Sequence, residues 1–396
     1  MLMDLSTFFF YGISPNDEKK MKRVFVVIFF NVFLLNLNAQ QTFEIDGKVL
    51  AQSNVGLEKE TSKYVGLRYL PEITYRKKFD SLRSFTFDIA GNFNVSKYIT
   101  SEVSSKAKVK LNPYRMWARY INKKWEFRIG LQKIDFGAAQ LLRPLQWFNQ
   151  IDPRDPLSLT NGVYGLLIRH YFKNNAKFWF WSLYGNEKSR GLDLLPTLNK
   201  SPEIGGRYQA LVPKGEIAIS YHYRKVGSAS ILGINPFQEN PEHRIGWDSK
   251  WDLGIGLWTE STFINRQKDI GLFTNQFLFN LGIDYTFGLG NGLNVSAEHL
   301  ISSSINKNYD ASIKQNISAM SVSYPLTFFS SINGLLYHQW ENEKQTLLIN
   351  YQHQFKYFSG YLIAYYNPDE TQGIQENEIT TSLSGPGIQL LLVYNH

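Results

Sequence analysis

The feature that most limits the fold of this chain is an alternation of apolar and polar residues with a period of two. From Phe85 to Val95, every odd position except Gly91 is apolar, and the even positions carry Thr, Asp, Ala and Asn. Successive side chains of a β-strand point to opposite faces, so this pattern predicts strands with one apolar and one polar face. Similar alternation is found in residues 125–132, 216–224, 276–286 and 346–355, with Leu278, Leu348 and His353 as exceptions.

The lengths of the connections between the predicted strands also alternate. Eighteen segments have strand character, and the connections after even-numbered strands are short, for example residues 213–215 and Lys250. The connections after odd-numbered strands are long, except for residues 341–344. An outer-membrane barrel has short periplasmic turns and long extracellular loops, which produces this order. A soluble sandwich with Greek-key connections has no reason to follow it.

We therefore predict an all-β fold, a transmembrane antiparallel β-barrel of about 18 strands with short periplasmic turns and long extracellular loops. Closure of the barrel gives every backbone polar group a partner in the hydrocarbon region. A count of 16 strands also agrees with the pattern. Aromatic residues make up 15% of the chain, as expected for strand faces and interface girdles, and the absence of Cys excludes disulfides and thiolate metal sites.

The N-terminus has the pattern of a secretory signal. An apolar run, residues 24–37, follows four basic residues and ends before Asn38-Ala39-Gln40. This run is too short for a spanning helix, which needs about 20 residues. We predict a signal peptide over residues 1–39 and one barrel domain over residues 40–396. Met21 is an alternative start, in which case residues 1–20 are an extension.

The polar face of the predicted barrel carries many cations. The fourth and fifth strands supply Lys106, Lys108, Lys110, Arg115, Arg119 and Arg128. The lysines stand at even-numbered positions and Arg115 at an odd-numbered one, so they can share a face only if a β-bulge lies near Pro113. A basic wall favours the passage of anions. Alternatively, the cations pair with interspersed acids and only hydrate the lumen; the acids are Glu72, Asp88, Glu126, Asp248, Glu260, Asp284 and Glu298.

The longest connection, residues 134–162, is too apolar for a solvated loop, because its leucines and aromatic residues need burial. Two interpretations are open. The loop folds into the barrel and narrows it, exposing Arg143, Arg154 and Asp155 to solute, or it forms a lid on the outer rim. Gln132, Arg143 and Arg154 are the strongest single candidates for a constriction.

Residues 130–137, Gly-Leu-Gln-Lys-Ile-Asp-Phe-Gly, are followed by Leu-Leu-Arg-Pro-Leu and Ile-Asp-Pro-Arg-Asp-Pro. This stretch, within residues 124–162, resembles the Gly-Arg-Gln…Gly strand and loop of alginate-export and related outer-membrane porin families. Here Leu131 stands where those families have Arg. The resemblance implies an eighteen-stranded passive pore and leaves the solute open. The end of the chain, residues 388–394, resembles the C-terminal strand recognised by the barrel-assembly machinery, although Asn395 and His396 follow Tyr394.

Motifs for catalysis and metal binding are absent from the sequence: there is no H-E-x-x-H, no G-x-S-x-G and no P-loop. An acidic group in the last outer loop, Asp369, Glu370, Glu376 and Glu378, is interpreted as solvated rather than as a cation site. We therefore expect no enzyme activity, no metal and no cofactor. A hydrolase at the rim would need a Ser and a His brought together in three dimensions.

The first functional hypothesis is a channel in the cell outer membrane for passive diffusion of small polar or anionic solutes, including oligosaccharides. The alternative is a non-conducting barrel that acts as a scaffold or accessory subunit of a secretion or polysaccharide-export system. The predicted partners are outer-membrane lipid, lipopolysaccharide, the barrel-assembly machinery during biogenesis and the solute. No nucleic-acid partner is predicted despite the net charge of +8, because the export signal makes nucleic acid the weakest of the partners that a basic chain suggests. The oligomeric state is open.

Overall fold

The computed structural model describes residues 40–57, 63–99, 106–227, 239–367 and 385–396. The predicted signal peptide and the acidic group at residues 369–378 lie outside the described residues. Within these ranges the structure contains no helix that could span a bilayer. One short 3-10 helix, Gly271–Phe273, is the helical element that the structure assigns within these ranges.

The described chain forms one antiparallel sheet that closes on itself. Each strand pairs with its neighbours in sequence, and the first strand pairs with both the second and the last, so eighteen strands make a ring. The predicted fold class is thereby confirmed. The strands are β1 Gln40–Gly56, β2 Lys63–Lys78, β3 Ser84–Ile99, β4 Lys108–Ile121, β5 Trp125–Gln132, β6 Val163–Tyr171, β7 Lys177–Leu183, β8 Glu203–Val212, β9 Gly215–Val226, β10 Asn240–Asp252, β11 Gly256–Arg266, β12 Asn275–Phe287, β13 Leu293–Ile305, β14 Ser312–Thr327, β15 Ser330–Gln339, β16 Lys344–Gln354, β17 Phe358–Asn367 and β18 Gly385–Asn395.

The two ends of the barrel differ in their connections. One end, the short-turn end, carries the connections after even-numbered strands, such as residues 213–214 and 328–329. The other, the long-loop end, carries residues 133–162 and 184–202, with residues 340–343 as its short exception. The turn after β10 lies at residues 253–255 rather than at Lys250, because β10 continues through residue 252 in register with β11. Both ends of the described chain lie at the short-turn end.

The outer face of the barrel is apolar, as the alternation predicts. On β12, Phe277, Leu281 and Ile283 are exposed on the outside, whereas Gln276 and Asn280 are buried inside. His353, which broke the pattern, lies on the outer face and packs edge-on against Phe355. An amphipathic ring at this position suits a membrane interface.

The end of the chain is fixed to the first strand. The backbone groups of Gly47 and His396 exchange two hydrogen bonds of 3.0 Å. The His396 ring stacks on Tyr69 and Tyr394, with ring centroids 5.9 Å and 6.1 Å away. His396 therefore occupies a place among aromatic rings at the short-turn end, beyond the last apolar position of β18.

Candidate functional site

Residues 133–162, here called the inward loop, lie inside the barrel and not on its rim. Two wall carboxylates on the far side hold its backbone. Glu260 of β11 accepts hydrogen bonds from the backbone N–H groups of Ala139 at 3.0 Å and Leu145 at 2.5 Å. Glu260 is an inward-facing residue with no exposed surface. The inward loop therefore crosses the lumen from β5 to the wall formed by β11 and its neighbours.

A second carboxylate continues this attachment. Glu298 of β13 accepts hydrogen bonds from the backbone N–H groups of residues 140, 141 and 142, at 2.7, 3.1 and 2.6 Å. Asn280 donates to Glu298 at 2.9 Å and to the carbonyl oxygen of Leu142 at 2.7 Å, and Trp258 donates to Glu298 at 3.1 Å. Consecutive loop amides are thus satisfied by the wall, as buried backbone groups require.

Two glycines allow this close approach. A Cβ atom on Gly137 would lie 2.4 Å from a carboxylate oxygen of Glu260. A Cβ atom on Gly246 of β10 would lie 2.3 Å from the side chain of Leu145. Gly137 also has a φ of 106°, a conformation that favours glycine. The seating of the loop therefore depends on the absence of side chains at both positions.

The apolar residues of the inward loop are buried or half-buried, as the sequence required. Leu142 belongs to a buried cluster on the inner wall, here called the apolar sector, and Leu141, Leu157 and Leu159 pack against it. This explains why Leu278 and Leu348 break the alternation, because both face the lumen within this sector. Its wall residues are Leu50, Leu70, Ile264, Leu278, Leu300, Ile317, Ala319, Leu335, Tyr337, Leu348, Tyr361, Ile363, Leu391 and Val393.

A second loop, residues 184–202, is held through charges. Glu242 of β10 bonds with Arg224 of β9 at 2.6 Å, Arg266 of β11 at 2.8 Å and Arg244 of its own strand at 2.7 Å. Asp193 of the loop bonds with Arg224 at 2.8 Å and with Arg244 at 2.6 Å. Arg190 of the loop bonds with Glu203 at 2.6 Å. We call these seven residues the charged cluster; no motif in the sequence predicts it.

The predicted basic wall has the register that a shared face requires. Lys108 and Lys110 pair with Ser96 and Asn94, and after a register shift at Ala90/Gly91, Arg115 pairs with Ala90. Tyr114 is the extra residue of this β-bulge. The lysines, Arg115 and Arg119 therefore all face the lumen with the even-numbered residues of β3. Lys106 lies just before β4 and is exposed.

The cations of this wall make different contacts. Arg128 of β5 bonds with Glu126 at 2.7 Å, and Arg169 of β6 reaches the same carboxylate at 3.4 Å. The guanidinium of Arg119 lies 5.6 Å from the Trp117 ring centroid, and Arg115 donates to the carbonyl oxygen of Thr160 at 2.9 Å. Ion-paired cations and half-exposed cations thus lie together on the lumenal face of this wall.

The other four candidates are buried rather than exposed to solute, which corrects the expectation for Arg143, Arg154 and Asp155. Arg143 bonds with Asp135 at 2.7 Å, and Arg154 bonds with Asp152 at 2.8 Å. The carboxylate of Asp155 accepts hydrogen bonds from the backbone N–H groups of residues 157 and 159. Gln132 donates to the carbonyl oxygen of Gly165 at 2.9 Å. All four stabilise the turns of the inward loop or its start, because a folded loop must satisfy its own polar groups.

A Ser–His contact exists on the outer face. Ser318 of β14 and His299 of β13 are 2.9 Å apart, and Trp340 donates to Ser318 at 2.9 Å. Within the described ranges, His299 has no carboxylate partner, and no cluster of three metal-ligating residues occurs. The two side chains are hydrogen-bonded residues of the outer face, and they lack the third group of a hydrolase triad.

Comparisons with known proteins bear on the fold. No protein-family model matches the chain, and no curated protein matches its sequence. Among solved structures, OccK5 of Pseudomonas aeruginosa is 10% identical, with 90% of this chain and 98% of that chain covered and a TM-score of 0.53. OccK7 of the same organism is 11% identical, with 89% and 99% covered and a TM-score of 0.52. The chain shares the closed-barrel fold of outer-membrane porins.

Proposed function

We propose that this protein is an outer-membrane channel for passive diffusion of small polar or anionic solutes. The observation that carries the proposal is the basic face of β4, whose cations are exposed or half-exposed, inside a closed barrel with an apolar outer face. Closed barrels of this kind satisfy all strand hydrogen bonds in hydrocarbon, where no water can do so. We assign the short-turn end to the periplasm and the long-loop end to the cell exterior.

The lumenal charges support a preference for anions. From the long-loop end, an anion would meet Lys108 and Lys110, pass Arg115, and continue past Arg119 and Arg128. Charges of one sign that line a low-dielectric passage raise the local concentration of the opposite ion. The acids of the remaining wall compete less, because Glu260 and Glu298 are occupied by the amides of the inward loop. The inward loop supplies the constriction in this proposal.

Conductance of the purified protein tests the proposal. In planar bilayers we expect stepwise current, and a reversal potential in a salt gradient that indicates anion preference. Replacing both Arg119 and Arg128 by Gln should lower the anion preference, because two lumenal charges are removed. Lys314→Gln is the matched control, since Lys314 is exposed on the outer face of β14. Cation preference in the unchanged protein would contradict the basic wall.

A second function has one observation in its favour. The inward loop and residues 184–202 are both anchored to the inner wall through buried contacts. A barrel whose lumen holds two anchored loops suits a non-conducting scaffold or accessory subunit of a secretion or polysaccharide-export system. Absence of stepwise current from correctly folded protein would favour this alternative over the channel.

The remaining partners follow from the same proposal. Outer-membrane lipid and lipopolysaccharide would contact the apolar outer face. The barrel-assembly machinery would recognise β18, whose outward residues Ile388, Leu390, Leu392 and Tyr394 are exposed.

A further inference from the structure

We propose that Arg115 is an exchangeable latch between the basic wall and the inward loop, which a solute carboxylate opens by replacing the loop carbonyl as its partner. This inference rests on the proposed channel function and names the group that the channel recognises. It assigns to one residue two roles, solute selection and control of loop position, that the other wall cations do not share.

The β-bulge places the latch in the lumen. Because Tyr114 is inserted into the register between β3 and β4, Tyr114 and Arg115 project together from the wall. The guanidinium carbon of Arg115 lies 4.0 Å from the centroid of the Tyr114 ring. Tyr114 itself packs against the apolar sector. Stacking on a ring that is packed against the wall orients the guanidinium and limits its rotamers.

The present partners of Arg115 are weak ones for a guanidinium. Its Nη1 donates to the carbonyl oxygen of Tyr114 at 2.5 Å, and its Nη2 donates to the carbonyl oxygen of Thr160 at 2.9 Å. Both hydrogen-bond acceptors are neutral, and the carboxylates of Asp88 and Glu72 act on Arg115 only as nearby charges. A carboxylate offers two parallel charge-assisted hydrogen bonds to the same nitrogens, and such bonds are about twice as strong as neutral ones. A carboxylate that reaches Arg115 therefore competes well with the loop carbonyl.

Thr160 connects this exchange to the rest of the inward loop. Its hydroxyl oxygen accepts a hydrogen bond from the backbone N–H of Gln150 at 2.7 Å, so Thr160 joins two turns of the loop. Nearby Leu159 is half-buried and packs against the apolar sector. Loss of the Arg115 contact would release this part of the loop from β4, whereas Glu260 and Glu298 would still hold residues 139–145 on the far wall.

Recordings in potassium acetate and potassium chloride test the latch. In the unchanged protein, acetate current should saturate at a lower concentration than chloride current. Arg115→Lys keeps the charge and removes the fork, and Arg115→Gln removes both. Arg115→Lys should raise the half-saturating acetate concentration about tenfold, the effect of one lost charge-assisted hydrogen bond, and Arg115→Gln should raise it further. Lys250→Gln removes an exposed, inward-facing charge on β10 and should leave the value unchanged.

A labelling measurement reports the loop itself. The chain contains no cysteine, so Leu159→Cys gives a single reactive thiol. Acetate should speed its modification by a water-soluble maleimide several-fold, and adding Arg115→Gln should make the fast rate independent of acetate. Equal half-saturation in all three proteins, or a rate unaffected by acetate, would overturn the latch while leaving an anion-selective channel intact. Absence of any current would overturn the channel proposal as well.

Discussion

The apolar sector and the charged cluster hold two loops inside one barrel by different physical means. In the apolar sector, leucines of the inward loop pack against leucines, isoleucines and tyrosines of the wall. In the charged cluster, two acids of the wall and one of the loop alternate with four guanidinium groups. Both regions are buried, with Leu391 and Glu242 each having no exposed surface.

The two kinds of contact differ in how strictly their geometry is fixed and in the free-energy penalty when one partner is missing. Apolar contact is non-directional and scales with buried area, so the apolar sector tolerates changes of similar volume. A buried ion pair needs each partner in place, because a charge left alone in a low-dielectric interior is strongly unfavourable. The charged cluster should therefore fix residues 184–202 rigidly, whereas the apolar sector should allow the inward loop small shifts.

The largest expected effect is in the charged cluster. Glu242→Gln leaves Arg224, Arg244 and Arg266 without their shared carboxylate and should lower the free energy of unfolding by about 3–5 kcal/mol. The measurement is the denaturant midpoint of the detergent-solubilised barrel. The control is Glu239→Gln, because Glu239 pairs with Lys225 at 3.0 Å on the surface, where solvent screening makes the contribution of a salt bridge small. Equal midpoints for the two variants would contradict a stabilising role for the cluster.

Two adjacent leucines of β18, one in the apolar sector and one on the outer face, allow inner and outer packing to be compared. Leu391 has no exposed surface and faces the lumen, and Leu390 is 46% exposed on the outer face. Leu391→Ala should cost about 3 kcal/mol, since it opens a cavity among packed side chains. Leu390→Ala should cost less than about 1 kcal/mol. If Leu390→Ala proved the more damaging, the interior would be open at this position.

The carboxylate attachment of the inward loop should show a smaller effect on stability and a clear one on current. Glu298→Gln replaces one acceptor oxygen by a donor that faces loop N–H groups, which should cost about 2 kcal/mol. The loop should then leave the wall more often, and single-channel conductance should rise. Asp284→Asn is the control, because Asp284 also faces the lumen, from a position on β12 two residues closer to the short-turn end than Gly282, the residue that pairs with Glu298. Unchanged conductance in Glu298→Gln would show that the loop does not limit the current.

The strands could be predicted from the sequence because their signal is local. Alternation and connection length act over a few residues, and β12 begins and ends where they indicate, at Asn275 and Phe287. The bulge needed to unite Lys110 with Arg115 was also deducible, since two parities on one face require an inserted residue. The position of that residue, Tyr114, is set by the pairing with β3 and needed the structure.

The roles of loop residues could not be predicted, because they depend on contacts between distant segments. Arg154 and Asp155 look like solute ligands in sequence, yet they close turns of a loop that is itself buried. The sequence indicates the charged cluster only weakly, through Glu242 and Arg244, which are two opposite charges at a spacing of two on the polar face. Its assembly, however, requires the register of β9, β10 and β11, which brings Arg224 and Arg266 to either side of Glu242.

The smallest expected effect lies outside the apolar sector and the charged cluster, in the turn between β2 and β3. Asp80 accepts hydrogen bonds from the backbone N–H groups of Leu82 and Arg83 and from the Arg83 side chain at 2.6 Å. The Arg83 side-chain hydrogen bond lowers the pKa of Asp80 below its usual value. Because the pKa is lower in the folded state, the stabilisation is complete above the unfolded pKa of about 4 and is lost as pH falls through the folded value. Asp80→Asn should therefore lower the denaturant midpoint slightly at pH 7, and the difference from the unchanged protein should shrink below pH 4. A difference that grew on acidification would mean that Asp80 is stabilised in its protonated form.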